Sequence, residues 1–182
     1  MYKTTLIIAS LIVMILASCA PATQAVDEFT KNYQEGLQFY EAREFDKAIG
    51  SLSTAINLNP RSTAAYLLRG KSYRSVYEYE RSLQDTEKVM ELDPRNREAH
   101  VLRGLVFFNT DRYEEAIAEY STALELSGED KLPLYYRAQA YSSLGEFEPA
   151  VNDLEQYLIS VPNDPNRARI ESEIESLKAK MK

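Results

Sequence analysis

The chain has 182 residues but only one cysteine, Cys19, and one histidine, His100. That scarcity closes off several chemistries together. No intrachain disulfide can staple the fold, no Cys-His pair can be assembled for nucleophilic catalysis, and no zinc site of His and Cys ligands can form. Glycine is also sparse, with six residues. None of them belongs to a Gly-rich phosphate loop. Positive charge is in deficit, with 21 lysines and arginines against 28 acids and a formal net charge of −7. An acidic chain without a concentrated basic stripe is a poor nucleic-acid binder. The carboxylates, Glu114-Glu115 among them, have the spacing of solvated helix faces rather than of a catalytic pair. His100 reads as packed at a helix interface. No catalytic residue, metal ligand or cofactor is therefore expected, and the chain reads as a non-enzyme.

The few glycines fall instead at a fixed interval. Gly36, Gly70 and Gly104 stand 34 apart, Ala138 continues the series, and an aromatic follows three places later at Phe39, Tyr73, Phe107 and Tyr141. An interval of this length kept over four passages marks a stack of repeated helix pairs, stabilised by neighbours burying each other's faces. Glycine inside a helix costs about 1 kcal/mol relative to alanine, so close approach of another helix must compensate. A second small position follows at Ala48, Ser82, Ala116 and Ala150, and a third at Ala55, Val89 and Ala123, with Tyr157 departing in the last unit. Small residues are expected to face small ones across each helix pair. Large apolar residues fall at helical spacing between them, as in Phe45, Ile49, Leu52 and Ile56, or Tyr113, Ile117, Tyr120 and Leu124. Each second helix should bury that stripe.

Turn signals agree with two helices per unit. Pro60, Pro94 and Pro162 keep the same spacing, with Gly128 in the remaining slot. Ser62, Asn96, Asp130 and Asp164 then offer a side-chain oxygen as helix cap. Pro165 is expected at a first helical position, and Pro133 and Pro149 fit inside first turns.

These residues resemble the tetratricopeptide repeat, whose pattern is visible in the second unit as Tyr66, Gly70, Tyr73, Ser82, Val89 and Pro94. The resemblance implies an all-α solenoid of four helix-turn-helix units at 29–62, 63–96, 97–130 and 131–164. Residues 165–182 look like a terminal solvating helix, with Ile170, Ile174, Leu177 and Met181 as its buried stripe. Asn32, His100, Thr86 and Gly128 depart from the pattern. In this family the first helices line a concave groove that binds an extended peptide or a partner's helix. Carried over by register, the groove positions are Tyr33, Leu37 and Tyr40; Leu67, Lys71 and Arg74; Val101, Leu105 and Phe108; and Tyr135, Gln139 and Ser142. They would form an apolar, aromatic trough with one basic step, although an aromatic stripe at helical spacing also reads as core. Lys71 and Arg74 could there meet an acidic group on an otherwise apolar ligand. The Lys-and-Asn clamp by which some members hold a C-terminal carboxylate is not reproduced, because Tyr33 and Leu37 stand in its place.

A separate regularity is ionic. Arg69, Arg103 and Arg137 each have an acid 16 positions later, at Asp85, Glu119 and Asp153, while the first unit has Glu35 and Ser51. Pairing between a unit's two helices, or across to the next unit, is expected to hold register, at about 0–1 kcal/mol per exposed pair.

The N-terminus carries a different signal. A short positive start precedes an apolar run from Thr4 to Leu16, and Leu16-Ala17-Ser18 then leads to Cys19. This resembles the bacterial lipobox, which implies a signal peptide over 1–18, acylation of Cys19 and a lipidated tether over 19–28. Two other readings stand beside it: an uncleaved membrane anchor, since no charge occurs between Thr4 and Gln24, and a secretory signal cut near Ala20 or Ala22. Several acyl chains give stable attachment, and the tether reaches about 15–20 Å as a coil. In family terms, Ala20 in place of an acid after Cys19 favours an outer membrane, facing the periplasm, where the host has two membranes. The expected function is a membrane-anchored adaptor or assembly factor that binds protein in its groove. The alternative is a structural module that self-assembles.

Overall fold

The computed structural model describes residues 26–126 and 131–182, which form nine helices without a strand among them. They are α1 (26–41), α2 (Phe45–Leu58), α3 (Thr63–Ser75), α4 (Tyr79–Leu92), α5 (Arg97–Asn109), α6 (Tyr113–Glu125), α7 (Leu132–Leu144), α8 (Phe147–Ser160) and α9 (Arg167–Lys180). The signal peptide expected over 1–18, Cys19, the tether as far as residue 25, Gly128 and Asp130 lie outside the described residues. Residues 26–28, expected in the tether, belong to α1, where Thr30 Oγ1 donates to the Val26 carbonyl and Asn32 Nδ2 to that of Glu28. No Gly or Pro there interrupts the helix.

Successive helices pack on one another from α2 to α9, and α5 also touches α3 and α7. The core is accordingly a chain of separate clusters. Ala48, Leu52 and Leu68 form one, Leu67, Val89, Ala99 and Leu102 the next, and Ala116, Tyr120 and Ala140 a third. Each spans one unit and the first helix of the following one, which is how stacked repeats bury faces that none could bury alone.

Gly70 faces the small Ser82, whose Oγ donates to the Gly70 carbonyl at 2.8 Å, but Gly36 and Gly104 face large residues instead. A Cβ at Gly36 would lie 2.6 Å from Leu52 Cγ, and one at Gly104 would lie 2.5 Å from Tyr120 Cε1. The missing side chains are therefore filled by large ones from the same unit's second helix. At Gly70 the corresponding residue is the short Thr86, and Leu102 enters from the next unit, with its Cδ2 at 3.1 Å. Of the two expected stripes, Leu52, Ile56 and Tyr120 are buried, while Phe45, Ile49, Tyr113, Ile117 and Leu124 are half-buried.

Between the two helices of each unit the chain passes through one left-handed residue. These are Arg43 (φ 61°), Tyr77 (φ 64°), Asp111 (φ 57°) and Gly145 (φ 81°), again 34 apart. The following amide reaches back to the carbonyl of the repeated aromatic: Glu44 to Phe39, Glu78 to Tyr73, Arg112 to Phe107 and Glu146 to Tyr141, at 2.8–2.9 Å. This satisfies a carbonyl at each first helix's end. Cations lie over the same rings, Lys47 on Phe39, Arg81 on Tyr73 and Arg112 on Phe107.

Ser62 and Asn96 cap α3 and α5 through bonds from the Ala65 and Ala99 amides. Asp164 acts differently from expectation. Helix α9 starts at Arg167, so Pro165 occupies a turn, and Asp164 accepts from the Asn166 amide and the Tyr157 hydroxyl. Ile170, Ile174 and Leu177 bury α9 against α7 and α8, whereas Met181 is 46% exposed beyond the last packed turn.

The arginine-acid pairs form as the spacing implied, but they are not exposed. Arg69 grips Asp85 through Nε at 2.9 Å and a terminal nitrogen at 2.7 Å, and Arg137 grips Asp153 at 2.7 and 2.8 Å. Arg103 donates to Glu119 at 2.6 Å. The Asp85 and Asp153 side chains are 5% and 3% exposed. Burial pushes the Asp85 carboxyl above its ordinary value, although the Arg69 bonds pull it down. Arg69 and Arg137 also donate to Ser53 and Ser121 of the preceding units. One side chain thus locks two helices of its own unit and the stack below.

Candidate functional site

The inner face is built by the first helix of each unit. The 34-residue register brings equivalent positions of α1, α3, α5 and α7 side by side, and between the first three helices opens a cavity of about 410 Å³. Leu37 and Tyr40 from α1, Lys71 and Arg74 from α3, and Val101 and Leu105 from α5 line it. Six of the groove positions read from the sequence are therefore brought together. Glu41, Leu68, Arg97, Glu98 and Leu102 complete the lining. Leu68 and Leu102 follow immediately after expected groove positions and show one edge each while mostly packed in the core.

The remaining expected positions are occupied elsewhere. Leu67 is 8% exposed and belongs to the cluster beneath the face. Tyr33 stacks on Phe29 with centroids 6.1 Å apart, and Phe108 meets Tyr113 edge-on at 5.5 Å. Tyr135 and Gln139 are engaged by α9: the Tyr135 hydroxyl accepts from Arg169 at 2.9 Å, and Gln139 Nε2 donates to Glu173 at 2.7 Å. Ser142 is half-buried in α7. Both α9 bonds join residues 34 apart, so α9 takes the place of a fifth first helix and continues the face with polar side chains. The trough is thus apolar only at its N-terminal end, and most of its aromatic rings are used in packing.

The charge within the cavity is mixed. Lys71 Nζ lies 3.0 Å from Glu98 Oε2, a pair with side chains 35% and 64% exposed that contributes about 1 kcal/mol or less. Arg97 Nε donates to the Ala123 carbonyl at 3.2 Å, outside the cavity. Arg74 stands in the last turn of α3, where a cation suits the helix dipole. Its Nε is buried without a hydrogen-bond partner. Among the described residues no carboxylate forms an ion pair with it.

Away from the groove, His100 Nδ1 lies 2.8 Å from Glu119 Oε2, and both side chains are 12% exposed at the α5–α6 interface. Glu119 also holds Arg103, which accounts for the histidine by packing. Among the described residues no group of three or more His, Cys, Asp or Glu side chains could hold a metal ion. No helix among them is long and apolar enough to cross a membrane.

Helix pairs in a fixed register, a shared inner face and an arginine linking successive units define a helical-repeat solenoid. The chain belongs to the tetratricopeptide repeat family: one family profile matches residues 33–85 and 77–131, and a second tetratricopeptide profile matches 134–164. This is a family of protein-interaction repeats. No curated protein sequence matches the chain. Among solved structures, MamA is similar with a TM-score of 0.68 at 20% identity, over 85% of this chain and 90% of that one. The OM64 repeat domain of Arabidopsis matches at 0.62 and 24% identity, over 65% of this chain and 98% of the other. The first repeat domain of Spaghetti (RPAP3), solved with the HSP90 peptide SRMEEVD, matches at 0.61 and 18% identity, over 65% and 94%. At these identities the likeness is one of fold.

Proposed function

We propose that this protein is a lipid-anchored adaptor that holds a polypeptide segment of a partner against α1, α3 and α5 at a bacterial membrane. The observation that carries the reading is the 410 Å³ cavity, open on the inner face and walled by Leu37, Tyr40, Val101 and Leu105. An apolar recess of that size with a few polar groups suits side chains of a peptide. The similar Spaghetti domain, solved with a bound peptide, supports the reading by analogy. Anchoring rests on Cys19 and the apolar run before it, with the outer membrane favoured by Ala20.

The test is photocrosslinking in cells from position 105, with position 159 as control because Ile159 is 79% exposed on the α8–α9 side. Position 105 should capture a defined protein that position 159 does not, and Val101→Asp should abolish the capture. Equal capture from both positions would refute the groove. Cys19→Ala should release the protein from membranes; retention there, with no acylated N-terminal peptide in the parent, ends the lipoprotein reading.

A second reading, self-assembly, draws on the outer side of α8 and α9. A recess of about 500 Å³ there is lined by Leu158, Ile159 and Ile174 with three ion pairs at its rim. Light scattering decides it, since a monomer at micromolar concentration removes this reading.

A further inference from the structure

The two long edges of the stack present their cations differently. At the corner edge, where each first helix turns into the second, Lys47, Arg81 and Arg112 pair with Glu44, Glu78 and Glu115 and lie over the rings of Phe39, Tyr73 and Phe107. The opposite edge holds the loops that join one unit to the next. There Asn59-Pro60-Arg61 and Asp93-Pro94-Arg95 repeat at the 34-residue interval, with both prolines and both arginines exposed. The residue that opens each turn is folded inward: Asn59 accepts from the Arg61 amide, and Asp93 from the Arg95 amide and from Asn96 Nδ2. The two guanidiniums are left at the loop tips, and among the described residues neither forms an ion pair.

Helix α1 begins at this loop edge, because it runs antiparallel to α2 and α2 ends at Asn59. Only six residues separate its first residue, Val26, from Cys19, so the two Cα atoms stand at most about 25 Å apart whatever path the chain takes. As a flexible coil the same span averages about 15 Å. Helix α1, with 16 residues, is itself about 24 Å long. Turning the corner edge to the bilayer would lift Val26 by that length and pull the tether taut, whereas the loop edge meets the surface with the tether slack. Val26 is 63% exposed, and Leu132 and Ile159 are exposed where α7 starts and α8 ends on the same edge. Asp27 and Glu28, the exposed acids beside the tether, occupy the first turn of α1, where the helix dipole offsets them.

From the tether length and this charge pattern we infer that the loop edge is a lipid-facing surface, on which Arg61 and Arg95 hold the phosphates of anionic headgroups. The inference rests on the anchoring part of the function proposed above and adds how the domain stands on its membrane. A guanidinium forks onto phosphate oxygens, and the acyl anchor keeps both arginines within reach of them, so individually weak contacts suffice. With that edge down, the helices stand upright on the bilayer. A segment crossing α1, α3 and α5 then runs along the membrane surface rather than away from it.

The experiment uses the acylated full chain. Cys19 is the only cysteine and its thiol is taken by the lipid, so a cysteine introduced elsewhere is labelled alone. Asn57→Cys and Ala42→Cys place a donor fluorophore at exposed positions at the loop and corner ends of α2. Each protein is reconstituted in vesicles of phosphatidylcholine with one third phosphatidylglycerol, carrying an acceptor on the headgroups. Energy transfer should put position 57 nearer to the headgroups than position 42 by about 20 Å, the length of α2. The double variant Arg61→Glu/Arg95→Glu should lose most of that difference, as should vesicles of phosphatidylcholine alone, while Arg43→Glu/Arg81→Glu should keep it. Circular-dichroism melts of the variants matching the wild type show that the fold is kept. Equal transfer from both positions in the anionic vesicles overturns the proposal. So does a difference that survives both the Arg61→Glu/Arg95→Glu change and the neutral vesicles, since the tether alone then orients the domain. In either case flotation with the vesicles leaves the anchor standing. Protein that floats with neither kind of vesicle removes the anchored reading, and this surface with it.

Discussion

Gly104 gives the sharpest test of how the units are packed. Alanine at a helix-interior glycine gains about 1 kcal/mol from backbone propensity where space allows. At Gly104 the added methyl would lie 2.5, 2.8 and 3.0 Å from Cε1, Cδ1 and Cζ of Tyr120. Ordinary carbon contacts fall near 3.5–4.0 Å, so the ring must move by about 1 Å. It has little freedom to do so. Tyr120 has no exposed surface and packs against Tyr136 with centroids 5.7 Å apart, and burial raises its phenol well above the usual tyrosine range. Overpacking of this kind costs about 1–3 kcal/mol, with larger values for rigid surroundings, so the net loss expected is about 1–2 kcal/mol. Gly50, on the exposed face of α2, is the matched control, because a Cβ there meets nothing within 4 Å. Gly50→Ala should gain up to about 1 kcal/mol. Gly70→Ala, with its nearest contacts at 3.1 and 3.3 Å, should fall between them. At about 2–4 °C per kcal/mol for a chain of this size, the Gly50 and Gly104 variants should differ by about 5–10 °C in thermal melts followed by circular dichroism. A Gly104→Ala protein that melts at or above the wild type would refute the argument that glycine is there to admit the ring.

Arg69→Met should destabilise by about 3–5 kcal/mol in urea unfolding, since it leaves the Asp85 carboxylate buried and unpaired. Adding Asp85→Leu should recover most of that loss; no recovery would show that Arg69 acts by packing alone. Arg43→Gly should stabilise by up to about 1 kcal/mol in the same assay, because a left-handed residue with a Cβ is strained. The Asp164 carboxyl is held below its ordinary value by the Tyr157 hydroxyl and then by the Asn166 amide. With the folded-state value lowered, its contribution is present above the unfolded pKa of about 3.9 and is lost as pH falls through the folded value. Asp164→Asn should therefore lower stability at neutral pH and flatten the stability loss below about pH 4, and an unchanged acid limb would count against the bond.

The repeat register was plain in the primary structure because it is written in residue sizes. Gly36, Gly70 and Gly104 mark the first helices, and the 16-residue step from Arg69 to Asp85 spans a turn between two helices. Caps at Ser62 and Asn96 were equally legible, since their chemistry is local. The left-handed corner was not. Arg43, Tyr77, Asp111 and Gly145 share no side-chain property, because the geometry of the corner is imposed by the packing of the helices on either side. The groove was legible in part. Register predicted which positions could reach the inner face, but Tyr135 and Gln139 looked the same as Leu37 and Lys71 until α9 was seen to take the fourth unit's share.

By itself, then, the order of amino acids determined an all-α stack, its period and the pairing of helices within each unit. These depend on neighbours less than about one repeat apart, whose relation follows from helix geometry. Tertiary structure alone decided what each glycine admits, which aromatic rings remain on the surface, and that Lys71 is paired while Arg74 is not. Those outcomes depend on side chains arriving from other units, and a one-dimensional pattern does not specify which of several equivalent neighbours reaches a given atom first.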